Sequence, residues 1–301
     1  MSDRLEVAKT YKLFIDGKFP RSESGRTVVV NDAKGSVFAH VCRASRKDLR
    51  DAVAAARKAL PGWKGATAYL RGQILYRIAE MMEGKRAEFM ETLRVRGNAL
   101  AKSKKARPPT LSLREQEREV TAAIDRVVAY AGWADKFQQV LGCNNPVAGP
   151  YYNFTVPEAT GIVAVVAPDE PGLLGLISLL CPAICAGNTV VALACQQHSI
   201  AAAVLGEVIA TSDVPAGVVN ILTGFREELV PIIASHRDID AVSAAGLSDA
   251  HRTLLREGVA ENVKRVRVLD DVDWFDAAAC QHPWWIESMV EMKTMWHPSA
   301  V

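Results

Sequence analysis

The chain has 301 residues and a mass of 32.7 kDa, and 49% of its residues are hydrophobic. That suits one large or two modest globular domains with a real core. Its 36 basic and 34 acidic residues are well mixed and leave a net charge of +2. This lacks the excess of positive charge that is typical of proteins that bind nucleic acid. No apolar run reaches the roughly 20 residues that a membrane helix needs, and the charged N-terminus has no signal-peptide core. We expect a cytoplasmic protein that binds neither nucleic acid nor membrane.

The six cysteines are scattered without paired spacing. Disulfide frameworks are typical of short secreted chains and not of a chain this long and apolar. Cys181 and Cys185 lie four apart on a predicted helix, but neither His198 nor another cysteine falls at a zinc-motif spacing. The pattern favours buried free thiols and predicts no metal site.

Residues 1–140 begin with short strands and continue with helices. KLFIDGKF is an apolar run broken by Asp16-Gly17, which is a hairpin signal. Ser45 is placed to cap the first helix. Apolar periodicity predicts helices over about 47–60, 69–94 and 117–137.

Residues 94–118 are the least structured part of this region. They are basic, contain Pro108-Pro109 and show little apolar periodicity. Both a binding arm for an acidic partner and a solvated loop between helices fit that composition.

From Tyr151 the pattern changes. YYNFTV reads as a short alternating strand that ends in a break over residues 157–160. Nearly continuous apolar strands then alternate with helix-sized segments; the strands are GIVAVVA, NTVVALA, AGVVNILTG and DIDAVSAAG. This alternation predicts an α/β fold, with a Rossmann-like parallel sheet over residues 161–280 and helices on both faces.

Open parallel sheets bind ligands at the carboxyl ends of their strands. At that edge, GIVAVVAPDEPG places Asp169 and Glu170 side by side ahead of a helix. A neighbouring pair of carboxyls can act as acid and base if burial raises one pKa, or the two can simply favour the helix start. No G-x-G-x-x-G motif occurs, so an ordinary dinucleotide fingerprint is not supported.

These segments, in this order, resemble the aldehyde dehydrogenase superfamily. LFIDGKF, DAVAAARKALPGW, AGNTVV and VPAGVVNILTG are similar to that family's N-terminal, NAD-binding half, from about Tyr11 to Asp276. The resemblance implies a dinucleotide-binding type of domain and, in a complete member, oxidation of an aldehyde.

Several functional positions implied by the resemblance are changed. The family has Trp-Asn after Ala-Pro, and the Asn amide helps to hold an oxyanion; here Asp169 and Glu170 stand there, and carboxylates oppose an oxyanion. Leu193 replaces a lysine that contacts the adenosine ribose, and Leu247 replaces a serine near the pyrophosphate. Arg226 follows where small or acidic residues are usual.

The resemblance thus implies a vestigial cofactor pocket that holds no cofactor, with NAD(P) the one expected if any binds. Its lining is Pro168, Asp169, Glu170, Leu193, Gln196, Gly224, Gly246 and Leu247. The family's general-base position falls on Val259, with Glu261 displaced, and its catalytic domain, which carries a cysteine in a Gly-Gln-x-Cys context, has no counterpart.

WIESMVEMKTMWHP instead resembles the family's extreme C-terminal strand, and GPYYNFTVPEATGIV resembles its other assembly element. We therefore predict an oligomerisation hairpin over residues 141–160 and an oligomerisation strand over residues 283–301, which need a partner sheet. The expected interface residues are Tyr151, Tyr152, Phe154, Val156, Met289, Met292, Met295 and Trp296. This arrangement is similar to the shortened second unit of family-sixteen aldehyde dehydrogenases.

Two hypotheses follow, from different classes. In the first, the chain is a non-catalytic subunit that forms a hetero-oligomer with a full-length aldehyde dehydrogenase relative. In the second, it still binds a nucleotide and uses a nucleophile from another chain. Cys280, two residues from His282, is an incidental thiol unless a base and an oxyanion hole face it. A ligand sensor that reuses the pocket is a third option.

Overall fold

The structure is a computed structural model, and it describes residues 7–32, 35–95 and 110–299, except for the side chain of residue 261. Most of the basic stretch predicted over residues 94–118 lies outside the described residues, as does the displaced carboxylate of Glu261. None of the helices in the described ranges is long and apolar enough to cross a bilayer.

A small sheet and a group of helices form the N-terminal part. Strands β1 (Lys9–Tyr11), β2 (Thr27–Asn31) and β3 (Val37–Cys42) pair in the order β1-β3-β2. They are followed by α1 (Arg46–Lys64), α2 (Ala68–Gly84), α3 (Arg86–Arg94), α4 (Leu113–Trp133) and α5 (Phe137–Leu141). The predicted turn forms, because Ile15 bridges to Lys18 across Asp16 and Gly17, whose φ values are both positive.

Two helix predictions in this part are corrected. Ser45 caps α1 as expected, but the single helix predicted over residues 69–94 is two helices that meet at Lys85, next to the poor helix former Gly84. The helix predicted from residue 117 begins earlier, because Ser112 and Glu115 form a reciprocal capping box.

A five-stranded parallel sheet lies at the centre. Its strands are β6 (Ile162–Val166), β7 (Thr189–Leu193), β8 (Val219–Leu222), β9 (Ala241–Ala245) and β10 (Arg265–Leu269), in the order β10-β9-β6-β7-β8. The helices between them are α6 (Gly172–Cys185), α7 (Ser199–Ala210), α8 (Arg226–Ser235) and α9 (Asp249–Asn262). The predicted α/β fold with a parallel sheet is confirmed.

Both faces of this sheet are covered, which explains its continuous apolar strands. In β6, Val163 and Val165 belong to the core shared with α4, α6 and α7, whereas Ile162, Ala164 and Val166 belong to the core shared with α1 and α8. Successive strand residues point to opposite faces, so a strand buried on both sides must be apolar throughout.

A third sheet joins distant parts of the chain. Strands β4 (Cys143–Asn145), β5 (Tyr151–Ala159) and β11 (Val290–Pro298) are antiparallel in the order β11-β5-β4. The break predicted over residues 157–160 is wrong, since β5 runs through Pro157 to Ala159. Strand β4 pairs only with residues 153–155, so beyond them one side of β5 carries no ladder that a proline would interrupt.

The two expected assembly strands therefore pair with each other within one chain. Between β10 and β11 lie the short helices α10 (Ala277–Cys280) and α11 (Trp284–Glu287), and the C-terminal end of α10 contacts α4. Tyr130 Oη donates to the Cys280 carbonyl at 2.9 Å, and Trp133 Nε1 donates to the Gln281 carbonyl at 2.7 Å. Trp285 is buried, and its Nε1 donates to the Ala279 carbonyl at 2.9 Å, which ties α11 to α10.

Asn188 ties three of these parts together. Its Oδ1 accepts from the Gly161 amide at 2.9 Å, and its Nδ2 donates to the carbonyls of Ala183 at 3.0 Å and Met289 at 2.9 Å. The side chain is fully buried, so the bonds link the start of β6, the end of α6 and the residue before β11 without competition from water.

Candidate functional site at the carboxyl edge of the sheet

The carboxyl ends of β6, β7, β8 and β9 meet at one edge of the sheet, where the predicted pocket residues were expected. Pro168 is buried, Asp169 is half-buried and Glu170 is exposed, all in the connection from β6 to α6. Gln196, Gly224 and Gly246 follow β7, β8 and β9 in turn. Because the strands are parallel, these connections lie on the same side of the sheet.

Two of the predicted pocket residues are buried in the core. Leu193 and Leu247 are almost fully buried and belong to the core shared with α1 and α8. They act as packing residues, and the remaining members of the predicted set stand at the edge itself.

Arg226, the first residue of α8, holds this edge together. Its side chain is buried, and Nη1 donates to Asp169 Oδ2 at 2.9 Å and to the Gly246 carbonyl at 3.2 Å. Nη2 donates to the Ala167 carbonyl. The acidic corner predicted from Asp169 is therefore paired with a cation, and a charge-assisted bond of this kind is stronger than a neutral one.

The start of α6 is also occupied by a protein side chain. Buried Glu119, on α4, accepts from the backbone amides of Leu173 at 2.8 Å and Leu174 at 3.2 Å through Oε1. A carboxylate is favoured at a helix N-terminus, because unsatisfied amides and the helix dipole both attract negative charge. Sequence reasoning missed Glu119; its position on the buried face of α4 beside Gln116, Val120 and Ala123 was the available signal.

Close packing seals the space between these connections. A Cβ on Gly172 would lie 2.6 Å from His198 Cβ and 2.9 Å from Cys195 Sγ, and one on Gly175 would lie 2.3 Å from Pro168 Cγ. Only glycine permits that approach. Burial raises the pKa of the Cys195 thiol to about 12, which keeps it protonated and unreactive.

One cavity lies beside this edge, and a larger one lies elsewhere. One of about 360 Å³ is lined by residues that include Glu170, His198 and Trp274, a size at the lower end for ligand sites. A larger groove of about 1010 Å³ lies between α2 and α4, away from the carboxyl edge.

Cys280 is packed inside the chain. Its side chain is buried and its Sγ lies 3.4 Å from the Asp273 carbonyl oxygen, and burial raises the pKa of the thiol. His282 stacks on Trp284, with ring centroids 5.4 Å apart, and no described hydrogen bond joins it to Cys280. In the described ranges, no group of three or more His, Cys, Asp or Glu side chains could hold a metal ion.

The predicted interface residues are divided between the surface and the core. Tyr151, Tyr152, Met292 and Trp296 are exposed, and Phe154, Val156 and Met295 are half-buried. Met289 is 2% exposed and packs within its own chain, so its side chain cannot contribute to a surface.

The match to a known protein family ends where the central sheet ends. The sequence profile of the aldehyde dehydrogenase family matches residues 19–269, and β10 ends at residue 269. The chain belongs to the aldehyde dehydrogenase family.

Two curated relatives are about twice as long as the region they share with this chain. Retinal dehydrogenase 2 of Gallus gallus is 33% identical over 266 residues, which are 87% of this chain and 48% of the relative. A putative aldehyde dehydrogenase, DhaS, of Bacillus subtilis is 30% identical over 271 residues, 88% of this chain and 52% of the relative. The chain spans about half the length of the curated relatives it matches.

Solved aldehyde dehydrogenase structures agree with the fold. The NAD+ complex of the Bacillus cereus enzyme superposes with a TM-score of 0.75 at 26% identity and covers 88% of this chain and 53% of that one. PnpE in complex with nicotinamide adenine dinucleotide superposes with a TM-score of 0.76 at 25% identity, and the match covers 85% of this chain and 50% of PnpE. These structural relatives bind NAD+.

At the carboxyl edge of this aldehyde dehydrogenase family member, two groups that could bind a diphosphate already have protein partners. A diphosphate needs a cation or free amides, whereas Arg226 is bonded to Asp169 and the first amides of α6 are bonded to Glu119. Both partners are carboxylates, so a diphosphate would have to displace a group of its own charge.

Proposed function

We propose that this chain is a non-catalytic, aldehyde-dehydrogenase-like subunit that assembles with a full-length NAD(P)-dependent aldehyde dehydrogenase and supports it. The observation that carries the proposal is the β4–β5–β11 sheet, which presents large apolar side chains on both faces. The register pairs Phe154 with Met295 and Asn153 with Trp296, so the faces follow from the two-residue alternation.

One face carries Tyr151, Met292 and Trp296, and Tyr151 meets Trp296 edge to face with ring centroids 5.8 Å apart. The other face carries Tyr152 and Phe154, with centroids 5.2 Å apart. Aromatic residues and methionine are enriched in interface cores, and exposed apolar surface on both sides of a small sheet favours a position between other protein surfaces.

Strand β11 is the outer strand of this sheet, and its nine residues leave a long row of backbone groups on one side. Such an edge can accept another strand. Lys293 and Glu291 lie on it, which limits unspecific pairing and leaves the edge to a matched partner.

The environment of Cys280 supports the non-catalytic part of the proposal. Among the described residues, no base is hydrogen-bonded to Cys280, and its side chain is buried. A nucleophilic thiol needs an oriented base and a lowered pKa. Aldehyde oxidation by the complex should therefore survive Cys280→Ala and Glu170→Ala in this chain.

The test is the native mass of the complex that a tagged copy of the full chain recovers from its own host. The expected result is a full-length aldehyde dehydrogenase at a fixed ratio. Recovery of this chain alone as a homo-oligomer would show that the partner hypothesis is wrong.

Matched pairs of variants place the interface. Trp296→Ser is compared with Trp284→Ser, and Tyr152→Ser with Tyr76→Ser, because the exposed fractions are 60% and 51% for the tryptophans and 50% and 53% for the tyrosines. A central interface aromatic contributes about 2 kcal/mol or more, roughly 30-fold in affinity. We expect this loss of affinity for the variants at Trp296 and Tyr152, and no loss for the control variants. Equal losses of affinity within each pair would contradict the assignment.

A further inference from the structure

The connection that follows β8 sends one side chain across the edge of the central sheet. Arg226 starts α8, yet its guanidinium reaches the Ala167 carbonyl after β6 and the Gly246 carbonyl after β9. In the strand order β10-β9-β6-β7-β8, these are the neighbouring strands at the middle of the sheet. The side chain thus closes the place where the sheet would open to a ligand.

Arg226 and Asp169 neutralise one another at this place. The Arg226 side chain is 8% exposed and that of Asp169 is 40% exposed, so the cation is the enclosed member and depends on the carboxylate for its counter-charge. Among the described residues, Asp169 Oδ1 and Arg226 Nε have no hydrogen-bond partner and no contact with solvent. An incoming group cannot reach either atom unless the pair opens.

The backbone around the pair is closely packed. Pro168 packs against Gly175 and lies within 3.5 Å of where a Cβ on Gly246 would stand, so the connections after β6 and β9 touch directly. Interiors packed this closely transmit strain and do not open continuously.

We infer that Arg226 is an internal ligand of the carboxyl edge: with Asp169 it occupies the place of a dinucleotide, and the chain is fully folded without NAD(P). The inference does not depend on the assembly proposed above, because it concerns the chain by itself. A nucleotide diphosphate would have to break the Arg226–Asp169 pair and then lie beside the carboxylates of Asp169 and Glu170, which repel it.

The first test titrates the full-length wild-type chain with NAD+, NADH and NADP+, followed by tryptophan fluorescence and by thermal unfolding. A ligand present at roughly a hundredfold excess over its Kd raises the Tm by several degrees through mass action. We expect no saturable fluorescence change and no shift in Tm. Saturable binding by the wild-type chain would overturn the inference, whether or not a partner enzyme is recovered.

The second test is a double-mutant cycle with Arg226→Met, which keeps an unbranched apolar stem without the guanidinium, and Asp169→Asn, which keeps the size of the side chain without its charge. Each single change should lower the Tm, and the double change should lower it by clearly less than the sum, because the two groups stabilise each other. The exposed pair Arg77 and Glu80, 3.0 Å apart, serves as control through Arg77→Met and Glu80→Gln, with small and additive shifts.

Additive effects at Arg226 and Asp169 would refute the role of the pair. If Arg226→Met does not fold, Asp169→Asn still decides: the inference requires it to destabilise the chain more than Glu80→Gln does. The nucleotide titration needs no variant.

Discussion

The contact between Glu119 and the start of α6 makes a quantitative prediction. Glu119→Gln keeps an oxygen that can accept from the amides of Leu173 and Leu174, but it removes the charge. Charge-assisted hydrogen bonds are about twice as strong as neutral ones, and a charge at a partly buried helix end contributes up to about 2 kcal/mol. We expect the free energy of unfolding to fall by about 1–2 kcal/mol.

Glu119→Ala should lower the free energy of unfolding by more than Glu119→Gln does. It leaves two amides in a buried environment without this acceptor, and each such group costs about 1–3 kcal/mol. We expect a loss of about 3 kcal/mol. Both values are measured by urea unfolding, as a shift of the midpoint at an unchanged slope m.

The matched control is Glu117→Gln, the same change at an exposed position of α4. Surface substitutions usually stay within about 0.5 kcal/mol of the wild type. If Glu119→Gln and Glu117→Gln shift the midpoint equally, the assignment of Glu119 as the cap of α6 is refuted.

The other predictions concern a buried amide, acid stability and thiol reactivity. Asn188→Ala removes three buried hydrogen bonds and should cost about 3 kcal/mol in urea unfolding; a change below about 1 kcal/mol would contradict it. The pKa of the Glu207 carboxyl lies below its ordinary value of 4.5. Burial by itself would raise this pKa, but the hydrogen bond from Lys85 is among the interactions that lower it. The ionised carboxylate therefore stabilises the fold above that value, and this contribution is lost as the pH falls through the lowered pKa. The difference in unfolding free energy between wild type and Lys85→Met should accordingly shrink from pH 7 towards acid. A difference that stays constant with pH would argue against the pairing. With a thiol reagent, exposed Cys143 should react quickly, and buried Cys280 should react only when the chain unfolds. If the folded Cys143→Ser variant still contains a thiol that reacts quickly, this placement of the cysteines is contradicted.

Much of the fold could be predicted from local pattern. Continuous apolar strands separated by helix-sized segments predict a parallel sheet, because burial on both faces permits no alternation. The Ser45 cap and the turn at Asp16 depend on residues only a few positions apart. The location of the edge follows as well, since parallel strands place all their carboxyl ends together.

Other boundaries and the state of the edge needed the tertiary structure. The strand through Pro157 depends on where β4 stops pairing, which lies outside any local pattern. Sequence alone showed two acids at the edge, Asp169 and Glu170, and a resemblance to a cofactor site. It could not show that a residue 57 positions away supplies the cation for one of them.

Sequence by itself thus determined the family resemblance, the parallel sheet and the edge at which its ligands would lie. The tertiary structure decided that Arg226 closes that edge, that Glu119 caps α6 across 54 residues, and that β5 and β11 form one sheet. The physical reason is the distance along the chain between the groups that interact. Periods of two and 3.6 residues record which face of an element is buried, whereas ion pairs, remote caps and strand partners depend on where the chain returns in space.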